Sequence, residues 1–316
     1  MEWFAKRLGI SVLLVWIVAS IVFLAIHLVP GDPAELLLSQ GGAAPDPAIV
    51  EDLRDQLGLN RPVLEQYLHS MANLLRGDLG NSLMDGAPIA GEIATRLPRT
   101  LELIGAAALI SVLIGVSTGT LAAVAAGGPF DRVASALAGL GLSVPVFVIG
   151  TLAILGFAQT LRWVPAGGFV AFSQDPVQHL IMLAMPAGTI AVGLSSTLFR
   201  VTRSAVLEVT MRDHVRTARS KGLSFRRILT RHILRNALIP VVTVLALNLG
   251  TLLGGTVLVE YVFNWPGLSG LLVDAVNARD YPAVVGVVLV ISILFVTLNF
   301  VVDMLYAVLD PRVRHG

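Results

Sequence analysis

Six stretches of this chain carry apolar residues almost without interruption, at 8–29, 101–126, 133–158, 179–199, 237–259 and 283–308. Each is long enough, as a helix, to cross about 30 Å of hydrocarbon, which takes roughly 20 residues. Lipid offers no partner to a backbone N–H or C=O, so runs of this length are read as transmembrane helices. The first run follows Lys6 and Arg7 as a secretory leader would, but it is too long for one and has no small-x-small cleavage site. It is expected to be retained, and six spans place both termini on the same side.

The polar stretches between the runs have patterns of their own. In 30–100, Asp46 and Pro47 open a short amphipathic helix, with Ile49, Val50, Leu53 and Leu57 on one stripe and Gly58 as its stop. A second helix starts near Pro62 and is expected to bury Leu64, Tyr67, Leu68, Met71 and Leu75 before Gly77 ends it. Pro88 opens a third, which carries Ile89, Ile93 and Leu97 towards Pro98 and is expected to bend there into the second span. Between the last two spans, Asn264-Trp265-Pro266-Gly267 turns the chain. Residues 268–278 can then form a re-entrant helix closed by Arg279-Asp280-Tyr281-Pro282, which either seals the bundle or faces a translocation mouth.

Charge gives these elements a direction. The 200–236 loop holds ten of the 22 Lys and Arg residues. At about 2.5–3.5 kcal/mol per cation at a bilayer centre, it has to lie in water. With Lys6, Arg7, Arg132, Arg312 and Arg314 it gathers 15 basic residues on one side against seven on the other. The positive-inside rule then places both termini and this loop in the cytoplasm, and 30–100, with five Arg against ten acids, outside. Within the loop the fourth span continues as a polar helix with Val206, Leu207 and Met211 on one side. The chain turns tightly through Thr217-Ala218-Arg219-Ser220-Lys221-Gly222-Leu223-Ser224, and Ser224 can cap a return helix that re-enters the membrane before Pro240. Small residues at the tip suit a partner's groove. The surrounding Arg could meet acidic groups there or the headgroups of membrane lipids.

Composition, 55% hydrophobic and 14% charged, agrees with a polytopic membrane protein. The absence of Cys removes disulfides, thiolate metal sites and cysteine nucleophiles, and the six His are scattered without ligand spacing. The chain contains no paired midplane Asp, H-E-x-x-H or G-x-S-x-G, and so presents no organised nucleophile or metal-bound water. No G-x-x-x-x-G-K-[ST] is present to cradle phosphates, so the chain is not expected to hydrolyse ATP by itself. Glu102, Glu260 and Asp280 fall at the outer ends of spans and Asp303 near an inner end, a distribution that argues against an ion relay.

For a pathway, Gly115/Gly119 and Gly250/Gly254 are small-xxx-small pairs, and Pro145, beside Ser143, and Pro186 interrupt the third and fourth spans. Asn248 puts an amide deep in the fifth span, where it needs a hydrogen-bond partner, such as Asn299, or a wet cavity.

The run RTARSKGLSFRRILTRHILRNALIP resembles the cytoplasmic loop of permease subunits of ATP-binding-cassette importers, in particular the dipeptide, oligopeptide and nickel group. Gly222 and Ala218 match the Glu-Ala-Ala-x-x-x-Gly pattern of that loop, with Arg216 in place of the acid. LVPGDPAELL, LGLNRPVLEQYLHSMANLLRGDLGNSL, RLPRTLEL, SVPVFVIG, VEYVFNWPGLSGLLVDAVNARDYPAV and VVDMLYAVLDPRVR extend the likeness in order over almost the whole chain.

The resemblance implies an all-α type I importer permease with six transmembrane helices and an external helical cap between the first two. Residues 1–29 form the first span, 30–100 the external segment, 101–308 a five-helix core with the 200–236 coupling loop and the 260–282 re-entrant loop, and 309–316 a cytoplasmic tail. It also implies a homologous second permease, two P-loop ATPase subunits that carry ATP and Mg, and an external substrate-binding lipoprotein. No cofactor on this chain and no nucleic acid is implied. The setting is a bacterial plasma membrane, and the function is half of a translocation pathway for short peptides. The same scaffold could carry nickel chelates, haem or glutathione. On the residues alone, an ion-coupled secondary transporter and a membrane anchor without a conduit stay open.

Arg216, Thr217, Ala218, Arg219, Lys221, Gly222, Leu223 and Ser224 are the residues expected to couple to the ATPases. Ser143, Pro145 and Asn248 are expected along the pathway, and Trp265, Pro266, Gly267 and Asp280 at an external gate.

Overall fold

The computed structural model describes residues 2–28, 34, 35, 46–56 and 60–309, and for a few of these, Asp303 and Leu53 among them, the backbone alone. Residues 29–33, Leu57, the Gly58 stop and the 310–316 tail lie outside the described residues. Among those described, the chain forms helices and no strand. They are α1 (Glu2–Leu28), α2 (Pro47–Gln56), α3 (Val63–Leu75), α4 (Ile89–Val124), α5 (Pro129–Ser143), α6 (Val146–Ala153), α7 (Pro176–Thr210), α8 (Asp213–Ser220), α9 (Phe225–Ile228), α10 (Leu234–Val262), α11 (Leu268–Asn277) and α12 (Tyr281–Leu309). Two π-helical stretches, Ile154–Thr160 after α6 and Leu229–Ile233 between α9 and α10, had no counterpart in the sequence reading.

Among the described residues five helical segments are long and apolar enough to cross a bilayer, and α5 and α6, bent by 107°, meet the same measure only when taken together. The bend falls where Pro145 predicted an interruption. A residue before proline is pushed out of the helical region, and Val144 is extended at φ −89°, ψ 127°. The same expectation fails at Pro186, which is buried inside an unbroken α7. At Pro98 the third cap helix runs on into the second span, the two forming one helix, α4.

The chain divides into two compact units. The first comprises 1–98 and 270–300. In it the Ser20 hydroxyl lies 2.7 Å from that of Tyr67, and Phe23 meets the Tyr67 ring edge-on. Asp46 caps α2 through the Ala48 N–H at 2.9 Å, as expected. The apolar stripes of the short helices turn out otherwise: Ile49, Leu64, Leu68 and Leu75 are exposed, whereas Val50 is buried. Periodicity marks an apolar face without naming what covers it. Asp280 is buried and ties 82–83 to the start of α12, accepting from the Ser82 hydroxyl at 2.6 Å, the Leu83 N–H at 3.2 Å and the Ala283 N–H at 3.3 Å.

The second unit comprises 99–269 and 301–316, and α7 is its hub, packed on α10, α5 and α6. Lipid tails are as apolar as Leu, so close approach of helices has to come from small residues. Gly115 and Gly119 supply it: a Cβ on either would stand 2.7 Å from a backbone oxygen of α7, Ser195 O or Phe199 O. Gly254 faces open space within this chain, so it makes no packing contact of this kind here, whereas Gly250 is buried. Asp131 at the start of α5 receives a forked pair of hydrogen bonds from Arg203 of α7, at 2.5 and 2.8 Å.

Candidate functional site

Three features of the second unit bear on function: a cavity, the basic loop and the turn after α10. The cavity, about 260 Å³, opens between the α5–α6 bend, α7 and α10. Its walls are Leu142, Val144, Val146, Ile190 and Leu252, with the Thr197 hydroxyl and the Asn248 amide as polar groups. Asn248 has the hydrogen-bond partner required of it, donating to Val244 O of its own helix at 2.8 Å, and it also lines the cavity. Asn299 donates likewise to Phe295 O at 2.9 Å. Ser143 and Pro145 form the bend without lining the cavity themselves, and the Ser143 hydroxyl is taken up by Gly139 O at 2.9 Å.

The basic loop is built around its own small core. Val215 and Ala218 of α8 are buried against Val206, Val209, Ile228, Ile233 and Ala237. Ala218 therefore holds α8 onto its supporting helices and is not on the exposed tip, while Met211, placed on the apolar side from the sequence, is exposed. Arg216, Thr217, Arg219, Lys221 and Gly222 are exposed, and Leu223 is half-buried. The tight turn is present: Gly222 adopts φ +75° and donates to Arg219 O at 2.9 Å, with Lys221 N–H bonded to Thr217 O at 3.2 Å. That left-handed conformation strains any residue with a Cβ. Ser224 stands at the N-cap position of α9 in extended backbone, but its side chain forms no cap bond.

The turn after α10 is fixed by a carboxylate that sequence reading had placed only at a span end. Glu260 is buried, accepting the Thr100 hydroxyl at 2.7 Å and the Ser269 N–H at 2.8 Å. Gly267 packs directly on that carboxylate and has no room for a Cβ. The buried Trp265 indole donates to Arg99 O at 3.1 Å and meets Phe169 edge-on. Pro266 O accepts weakly from Arg99 at 3.5 Å. Trp265 and Gly267 are thus internal supports of the turn. The available signal was an acid ending an apolar run a few residues before Trp-Pro-Gly. Nearby, buried His179 bridges Glu102 and Val170 O, each at 2.7 Å. Asp280 belongs to the other unit and has the capping role given above.

Residues 115–315 match the model of the binding-protein-dependent transport system inner membrane component family, and 1–104 match the N-terminal model of the same kind of protein. The chain belongs to this family. Among curated relatives, the glutathione transport system permease protein GsiC of Escherichia coli O6:H1 is 41% identical over 310 residues, 98% of each chain. That of Pectobacterium atrosepticum is 41% identical over 315 residues, 100% of this chain and 99% of the relative. Two solved structures share the fold at low identity. An amino acid ABC transporter with histidines aligns at TM-score 0.54 and 17% identity, covering 68% of this chain and 92% of its own. The inward-facing MetNI methionine ABC transporter aligns at TM-score 0.57 and 18% identity, covering 69% and 96%. This family member is therefore an integral, multi-pass inner membrane permease of an ABC importer with the all-α type I fold. It is not catalytic by itself. In such importers ATP acts on separate ATPase subunits, alongside a second permease and a substrate-binding protein.

Proposed function

We propose that this permease forms half of the pathway by which a short peptide, glutathione in the first instance, is drawn into a bacterial cell. The likeness to glutathione permeases at 40–41% identity along nearly the full chain is the observation that carries this reading. The cavity beside Asn248 and Thr197 supports it, because an apolar wall with a few neutral hydrogen-bonding groups suits a peptide backbone. Both termini and the basic loop face the cytoplasm in this reading, and 30–100 and the 260–282 turn face outward towards a binding protein. Arg216, Thr217, Arg219, Lys221 and Gly222 then form the surface that receives the ATPases, with Ala218, Leu223 and Ser224 supporting it. Closure of two ATPases moves α8, and the core beneath it passes that motion to α7 and α10.

The test is reconstitution of the chain with its partner permease, its ATPases and its binding protein in proteoliposomes. Accumulation of labelled glutathione that requires both ATP and binding protein is the expected result. Preference for Ala-Ala over glutathione would move the substrate to the dipeptide group. Accumulation driven by a proton gradient without ATPase would overturn the reading.

A further inference from the structure

The 260 Å³ cavity does not end at Thr197. A second cavity of about 510 Å³ shares Thr197 and Leu142 with it and continues along α7 past Arg200, Ser204 and Glu208 to Pro240 of α10. A third of about 350 Å³, between α5 and α7, is again lined by Arg200 and Ser204. Thr197, Arg200 and Ser204 recur at i, i+3 and i+7, so they share one face of α7. The polar groups of the first cavity are thus followed, one helical turn on, by a guanidinium.

Among the described charged groups lining these cavities, that guanidinium is the one left without a carboxylate. Arg203 is forked onto Asp131, Arg212 holds Glu208 at 2.7 Å, and Arg216 stands 3.9 Å from Asp213. Among the described residues Arg200 has no carboxylate, and it is exposed. Glu208, the acid in the same cavity, is already committed to Arg212, so Arg200 is the uncompensated charge there. A planar guanidinium with an unused fork matches a carboxylate in geometry and charge, and binds neither a hydrated cation nor a neutral sugar comparably.

We infer that Arg200 is a specificity-determining residue of the pathway, receiving the carboxylate of a short peptide as it passes from the Asn248 cavity along α7. This rests on the substrate class proposed above. Phospholipid headgroups and an acid on the second permease are the competing partners for the same charge, and a third possibility is that the side chain acts by bulk alone.

The test uses the complete complex in proteoliposomes and reads labelled glutathione taken up per ATP hydrolysed. Arg200→Gln lowers that ratio about tenfold, the size of one lost charge-assisted bond. Arg200→Lys, which keeps the charge without the fork, lowers it about threefold. An unchanged ratio in Arg200→Gln, including the case in which uptake and hydrolysis fall together, assigns the residue to lipid or subunit contact and overturns the inference. Equal losses in the two variants make the fork itself essential and sustain the inference, whereas an Arg200→Met ratio that matches the Arg200→Lys ratio indicates bulk and overturns it. If the unsubstituted complex takes up no glutathione, the substrate reading itself fails. An indifferent Arg200→Gln in an active complex removes the inference alone.

Discussion

At the scale of single residues, glycine decides how closely two helices of this permease can approach. Gly119 shows why: α4 approaches α7 so closely that a Cβ would sit 2.7 Å from Phe199 O and 2.9 Å from the Thr202 Cβ. Neither neighbour is the free end of a flexible chain, so relief requires the helices to part. Gly119→Val is expected to cost about 2 kcal/mol, the usual range for overpacking, and to lower the thermal unfolding midpoint in detergent by several degrees. Gly254→Val, at a glycine with open space around it, is expected to shift it little. Both pairs have the same spacing in sequence, which marks small residues on one helix face without naming what that face meets. Trp265 stood out in the sequence as a turn residue, but its contacts did not: the ring is buried and closes on Phe169 and Arg99.

At the scale of elements, the position of the spans was legible because hydrophobic length is a direct consequence of bilayer thickness. Their shapes were less so. Pro145 and Pro186 give the same local signal, yet one sits at a 107° break and the other inside a continuous helix. The surroundings differ: Pro186 is buried in the α7 core with Leu183, Ala187 and Ile190, whereas Pro145 is exposed beside the cavity and nothing holds Val144 helical. The π-helical stretches escape for a related reason, since one extra residue per turn hardly disturbs an apolar run. If Pro145 sets the bend, Pro145→Ala lets α5 and α6 straighten. Spin labels at Val133 and Leu152, both exposed, are then expected to separate by several Å, towards the roughly 29 Å that 19 helical residues span. An unchanged distance would assign the bend to packing on α7 and α10 instead.

At the scale of the whole molecule, the chain is a part that does work only when another protein moves it, and the basic loop is where that dependence can be measured. The loop stood out as a candidate because ten cations and a Gly-marked turn stand between two spans, but the burial of Ala218 did not, because a short polar helix gives too little periodicity to show its inward face. Gly222 separates folding from coupling. Nothing lies within 4 Å of where its Cβ would be, so a side chain there meets no other part of this chain, and the penalty is the left-handed backbone at φ +75°, about 1–2 kcal/mol. Gly222→Ala and Gly222→Glu carry that same penalty. They differ in what they present to a docked ATPase, a methyl group in one case and a bulky anion in the other. Both variants are expected to reach the membrane at normal levels. Gly222→Ala is expected to retain at least about half of glutathione uptake, and Gly222→Glu less than a tenth, because an anion buried unpaired at an interface costs several kcal/mol. Equal uptake by the two would mean that the turn's conformation alone matters. Normal uptake by Gly222→Glu would place the ATPase contact away from this turn.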